Sequence, residues 1–193
     1  MQCVKCGKQN PEHKCSRCFL VYYCSKDCQR QDWISNHYDE ENDEDDDELP
    51  DCVLPLLCIG GLRALKDRGN EFDAIVTAVS YRRVSEAAMK AILKHFPNVK
   101  ETLRIPIEDR PNAPLEQYLD ESQRFIDKHI QMGHRVLVHC SAGISRSVSV
   151  VVNYFMYAGL ADSVNEALKK ITKKRKQANP NQGFLDVLHR RWD

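Results

Sequence analysis

Apolar positions from about residue 52 onward follow two rhythms. LLCIG at 56–60, FDAIVTAV at 72–79, TLRIPI at 102–107 and RVLVH at 135–139 are short apolar runs that read as strands. Between them, residues 85–96 and 114–130 repeat apolar side chains at three and four, the helical spacing. Pro114 suits a first helical position and Gly133 stands just past the end of the second run. Residues 145–157 continue as an apolar helix that Gly159 terminates, and Ser163-Val-Asn-Glu166 is a capping box opening another. Strands alternating with helices predict an α/β domain over residues 52–193, with a mostly parallel sheet flanked on both faces by helices.

The first fifty residues break this pattern. Residues 1–38 are polar and cysteine-rich, and residues 39–51 read DEENDEDDDELPD, a run of like charge expected to form an extended, disordered tether. The 28 basic and 28 acidic residues cancel only globally, because the basic run KKITKKRK, Lys169 to Lys176, opposes that acidic one. No apolar run approaches the roughly 18 residues of a membrane span, and MQCVKCGKQN has no signal-peptide core. The protein is therefore expected to be intracellular, in the cytoplasm with the nucleus open. In a reducing compartment nine cysteines point to metal ligation and catalysis rather than to a disulfide framework.

Cys3-x2-Cys6, Cys15-x2-Cys18 and Cys24-x3-Cys28 are three thiolate pairs in a segment too short and polar to bury a core. Structural zinc takes four sulfur or nitrogen ligands, so six cysteines with His37 as a seventh ligand predict a module stabilised by about two zinc ions. Few and scattered basic residues make a nucleic-acid finger the weaker alternative.

The chemistry concentrates in RVLVHCSAGISRS, residues 135–147, which reads strand, tight loop, helix. Such a loop points the N–H groups of Ser141, Ala142, Gly143, Ile144, Ser145 and Arg146, with the positive end of the next helix, at one volume that suits an anion. Cys140 lies in the same field, which favours thiolate and can bring a cysteine from about 8.5 to roughly 3.5–7.5. Arg146 offers a planar fork for two phosphoryl oxygens, which a lysine would not. Spacing alone is a weak signal: Cys24 and Arg30 share it, but without a preceding apolar strand or a loop glycine. A second element, Glu108-Asp109-Arg110-Pro111, directly follows the strand ending at Ile107 and offers a carboxylic acid able to reach over a bound phosphate, with Glu108 as competitor to Asp109.

HCSAGISRS resembles the signature loop of the cysteine-dependent dual-specificity protein phosphatases, and the resemblance extends over nearly all of residues 55–192. It implies a protein tyrosine phosphatase-like fold, Cys140 as nucleophile, Asp109 as general acid, Ser147 as the hydroxyl that stabilises the departing thiolate, His139 as the residue that orders the loop, and Asn181 as a buttress. No metal is implied for catalysis. The loop interior carries no lysine, which favours phosphoproteins over phosphoinositides as substrates, although the basic run keeps an acidic lipid or RNA open. A scaffold that captures phosphoproteins with weak or no turnover is the alternative from the binding class.

The C-x2-C, C-x2-C, YYCSKDCQRQDW, His pattern of residues 1–38 resembles the MYND-type zinc finger. The resemblance implies that Cys3, Cys6, Cys24 and Cys28 share one zinc while Cys15, Cys18 and His37 hold the other. Glu41 stands where the family has its last cysteine, so the eighth ligand falls to Asp39, Glu41, Cys52 or water, with His13 another candidate. It also implies docking of proline-containing peptides, with Gln29 and Trp33 at the groove positions. Core filling explains Trp33 equally well.

Overall fold

The computed structural model describes residues 2–3, 6–9, 13–14, 22–25, 28, 49–82 and 84–193. The chain divides into two compact units, Met1–Glu44 with Ser80–Pro97, and Asp45–Val79 with Asn98–Asp193. In the first, strands β1 (His13–Lys14) and β2 (Tyr22–Tyr23) pair antiparallel, and helix α2 spans Glu86–Leu93. Cys15, Cys18, Gln29, Trp33 and His37 lie outside the described residues, as does the acidic segment through residue 48.

The second unit is built on a five-stranded sheet. Its strands are β3 (Asp51–Leu54), β4 (Leu57–Gly60), β5 (Ala74–Thr77), β6 (Glu101–Arg104) and β7 (Val136–His139), in the order β3-β4-β7-β5-β6. Four are parallel and only β3 is antiparallel, paired with β4 across a tight turn. The expectation of a mostly parallel sheet with helices on both faces is met. The helices are α1 (Leu62–Arg68), α3 (Glu116–Gln131), α4 (Arg146–Tyr157), α5 (Val164–Thr172) and α6 (Gln182–Trp192).

Alternation along the buried strands sorts the core. Leu57, Ile59, Ala74, Val76, Val136 and Val138 join the cluster contributed by α3 to α6. Cys58, Ile75 and Leu137, one residue out of phase, face the other side, where α1 packs on β4 and β7. Helix α4 is the centre of the first layer: ten of its twelve residues are buried, the polar Ser149 and Asn153 among them with internal hydrogen bonds. Its Asn153 donates to Leu119 O and Gln123 Oε1 and accepts from Trp192 Nε1, so one buried amide ties α3 and α6 to α4 with its polar atoms satisfied.

Helices α3 and α4 end as Gly133 and Gly159 predict. Each glycine has positive φ, and paired N–H bonds from the glycine and its successor close the last turn. The capping box at Ser163 forms only in part: Ser163 Oγ accepts from Glu166 N, but Glu166 Oε2 accepts from Asp162 N, one residue upstream of the cap. Helix α3 starts at Glu116, two residues after Pro114.

One cysteine expectation is corrected. Cys52 and Cys58 are joined in a disulfide. The turn at residues 55–56 sets them directly opposite on β3 and β4 with Cα atoms 3.8 Å apart, an apposition that comes from strand pairing and that the spacing alone does not signal. Cys52 is thereby not free to complete a zinc site. Among the described residues no helix is long and apolar enough to cross a membrane.

Candidate active site

Strand β7 lies in the middle of the sheet, between β4 and β5, and in open α/β sheets ligands gather at the carboxyl ends of the strands. Cys140 is the residue directly after β7, and α4 begins six residues later. The loop between them is shaped from outside. Leu62 N donates to Ser141 O (2.9 Å), Arg175 Nη2 to Ala142 O (3.0 Å), Arg175 Nε to Gly143 O (2.6 Å) and Asn179 N to Ile144 O (2.9 Å). Four successive carbonyls are engaged outward, so the amide N–H groups sharing their peptide planes are turned inward.

Cys140 sits in that ring, 1% exposed. Its Sγ accepts from Gly143 N at 3.1 Å and from Ser147 Oγ at 3.3 Å. Burial pushes its thiol up, but the Arg146 charge together with the Ser147 and Gly143 donors outweighs burial, and the net pKa is lowered.

Arg146, 5% exposed, donates from Nη2 to Ser141 Oγ at 2.9 Å. Its buried Nε makes no hydrogen bond and lies 3.5 Å from Asp109 Oδ2. A buried guanidinium N–H without an acceptor is costly in isolation and suits an arriving anion.

Asp109 is brought to the loop: its Oδ1 accepts from Ser145 Oγ and Asn181 Nδ2, each at 2.6 Å. Asn181 holds it while capping α6, since its Oδ1 accepts from Phe184 N. Glu108, the competitor, pairs instead with Arg110.

His139 is fully buried, and burial above all lowers its pKa to about 4, so the ring is neutral at pH 7. Its Nδ1 lies 3.3 Å from Cys140 O and therefore carries the proton, leaving Nε2 to accept from Thr77 Oγ1 at 2.8 Å. The ring orders the backbone at Cys140 without adding a cation.

Sequence reasoning missed Thr77, Arg175 and Asp51 as neighbours of this loop. Arg175 had a signal: Val164, Ala167 and Ile171 form the buried stripe of α5, and 175 continues it by four. A groove of about 350 Å³ between residues 111–116 and Gly183, Asp186, Val187 and Arg190 lies beside this site and includes none of the loop.

In the first unit, the sulfurs of Cys3, Cys6, Cys24 and Cys28 lie within 4.8 Å of one another, with Cys6–Cys24 at 3.5 Å and Cys24–Cys28 at 3.6 Å. Four thiolates at about 2.3 Å from a tetrahedral zinc stand about 3.8 Å apart, so the donor set fits one such ion. A hydrogen bond shared with Cys6 and one donated to Cys28 push the Cys24 thiol up to about 12. The grouping is the one the finger resemblance implies for the first zinc.

Comparison with known proteins agrees with both halves. The family model for the dual specificity phosphatase catalytic domain matches residues 68–191, and the MYND finger model matches residues 3–40. Dual specificity protein phosphatase 1B of Arabidopsis thaliana is 44% identical over 155 residues, covering 70% of this chain and 92% of that protein. The tyrosine-protein phosphatase YVH1 of Saccharomyces cerevisiae is 30% identical over 167 residues, and the match spans 74% of this chain but 43% of the yeast protein. The crystal structure of human DUSP28 superposes with a TM-score of 0.63 at 26% identity, over 74% of this chain and 92% of that one.

Proposed function

Since the chain belongs to the dual specificity phosphatase family and is a protein phosphatase, we propose that it hydrolyses phosphotyrosine and phosphoserine or phosphothreonine in proteins through a phosphorylated Cys140. The observation that carries this reading is the Cys140 sulfur inside a ring of inward amides, with an unsatisfied Arg146 Nε and the Asp109 carboxyl on the same side.

In the first step the Cys140 thiolate attacks phosphorus, an S–P bond forms and the ester P–O bond breaks. The leaving oxygen takes a proton from Asp109. The loop amides and Arg146 hold the equatorial oxygens as charge builds on them. In the second step water attacks phosphorus, Asp109 takes its proton, and the S–P bond breaks to release inorganic phosphate. The returning thiolate is received by Ser147 Oγ and Gly143 N–H, the two donors already on Sγ.

The N-terminal finger is read as a structural zinc module that docks proline-containing peptides through Gln29 and Trp33. Cys3, Cys6, Cys24 and Cys28 would hold one ion and Cys15, Cys18 and His37 a second. Zinc supplies the folding energy that so small a segment lacks.

Turnover of a generic aryl phosphate and of phosphotyrosine and phosphothreonine peptides by the full chain tests the proposal. The wild type should hydrolyse all three, Cys140→Ser none. Undiminished activity in the Cys140 variant ends it.

A further inference from the structure

Lys169, Lys170, Lys173, Lys174 and Lys176 are exposed, whereas Arg175 in their midst is 0% exposed. A buried guanidinium is tolerated only where its donors are met and its charge is balanced. Here Nε donates to Gly143 O, Nη2 to Ala142 O, and Nη1 to Asp51 Oδ2 at 2.9 Å.

Ala142 O and the Gly143 N–H belong to one planar peptide and point in opposite directions, as do Gly143 O and the Ile144 N–H. Pulling Ala142 O outward therefore aims Gly143 N–H inward, where it meets Cys140 Sγ at 3.1 Å. The fit is close: Gly143 has φ +74°, and a Cβ there would lie 2.6 Å from Arg175 Nη2.

We propose that Arg175, oriented by Asp51, is a positioning residue that fixes two peptide planes of the phosphate loop and thereby sets both the thiolate character of Cys140 and the loop's affinity for phosphate. Asp51 opens β3 and lies outside the residues that the catalytic family model matches. The loop is thus tied to the segment that leads into the catalytic unit from the finger side of the sequence. A lysine at 175 keeps the charge but cannot reach three acceptors with one ammonium. This role rests on Cys140 being the nucleophile.

The test uses the full chain as wild type, Arg175→Lys, Asp51→Asn and, as an exposed control, Lys176→Ala. Two quantities are read: the pH midpoint of Cys140 alkylation, followed on its own peptide by mass spectrometry, and the inhibition constant of inorganic phosphate against an aryl phosphate. Arg175→Lys should raise the midpoint by about one pH unit and weaken phosphate inhibition about tenfold. Asp51→Asn should raise the midpoint by about half a pH unit and weaken phosphate inhibition roughly threefold, and the control should move neither. Folded Arg175→Lys with wild-type values overturns the inference. Should that variant not fold, unmoved values in Asp51→Asn overturn it equally. A wild type that neither turns over nor binds phosphate sinks the nucleophile reading instead.

Discussion

At the scale of single residues the site turns on a contest at one sulfur. Burial alone would push the Cys140 thiol up, but the Arg146 charge with the hydrogen bonds donated by Ser147 and Gly143 outweighs it, and the pKa is lowered. Removing one donor should show the balance: Ser147→Ala is expected to raise the alkylation midpoint of Cys140 by roughly one pH unit, from a wild-type value below the ordinary 8.5 or so. An unchanged midpoint would deny the hydroxyl its part. Asp109 is proposed to act on the other end of the bond, as the acid for the leaving oxygen. Asp109→Asn should cut kcat on an alkyl phosphate by about 10²–10³-fold and by much less on a phosphate with an activated phenol, because a good leaving group needs no proton. Equal loss on both substrates would make the carboxylate a loop brace rather than an acid.

At the scale of elements, strand, loop and helix form one device. The loop is stretched between β7 and α4, and donors from α1 and from residues 175 and 179 pull its carbonyls outward. Gly143 is its tightest point, since a Cβ would also stand 2.7 Å from the Gly60 carbonyl carbon. Gly143→Ala is expected to strain the loop by about 1–3 kcal/mol and to lower kcat/KM by about 100-fold with a smaller change in Tm. Wild-type kcat/KM would show the loop to be more pliable than its packing indicates. Gly183 plays a similar part on the acid side, where a Cβ would lie 1.9 Å from Pro111 O, so α6 lies against the loop carrying Asp109.

These elements differed in how far the sequence announced them. Strands β4, β5 and β7 are short buried runs, and α3 and α4 carry their glycine stops in plain sight. Strand β3 was hidden because its Asp-Cys-Val-Leu emerges from an acidic run and is only half-buried. Helix α1 has seven residues, too few to display a period, and α6 was obscured by the turn residues at its start. Cys140, Arg146 and Asp109 were readable because the proposed chemistry needs those residue types, and the fold brings the three together. The outward anchors were not, because a contact such as Arg175 to Ala142 O exists only once residues 33 apart are folded together.

Across the whole molecule, protonation and metal act on different parts. His139 has its pKa lowered to about 4 from an unfolded value near 6.5, so the unfolded chain binds more protons between those limits. Its contribution is complete above pH 6.5 or so and is lost as pH falls through 4, on the order of 3 kcal/mol at most. Urea unfolding between pH 7 and 4 should show that decline, and His139→Asn should flatten it. Metal analysis of the full chain should give about two zinc ions, and Cys3→Ser should remove one while leaving aryl phosphate turnover unchanged. Loss of turnover would couple finger and catalysis.

The proposed catalysis depends above all on a covalent bond between phosphorus and one sulfur. Full-length protein mixed with a phosphate-labelled phosphotyrosine peptide and quenched in denaturant within milliseconds would reveal that bond. Label should be found on Cys140 and nowhere on the Cys140→Ser chain. Label on another residue, or turnover that persists in Cys140→Ser without any labelled protein, would contradict it.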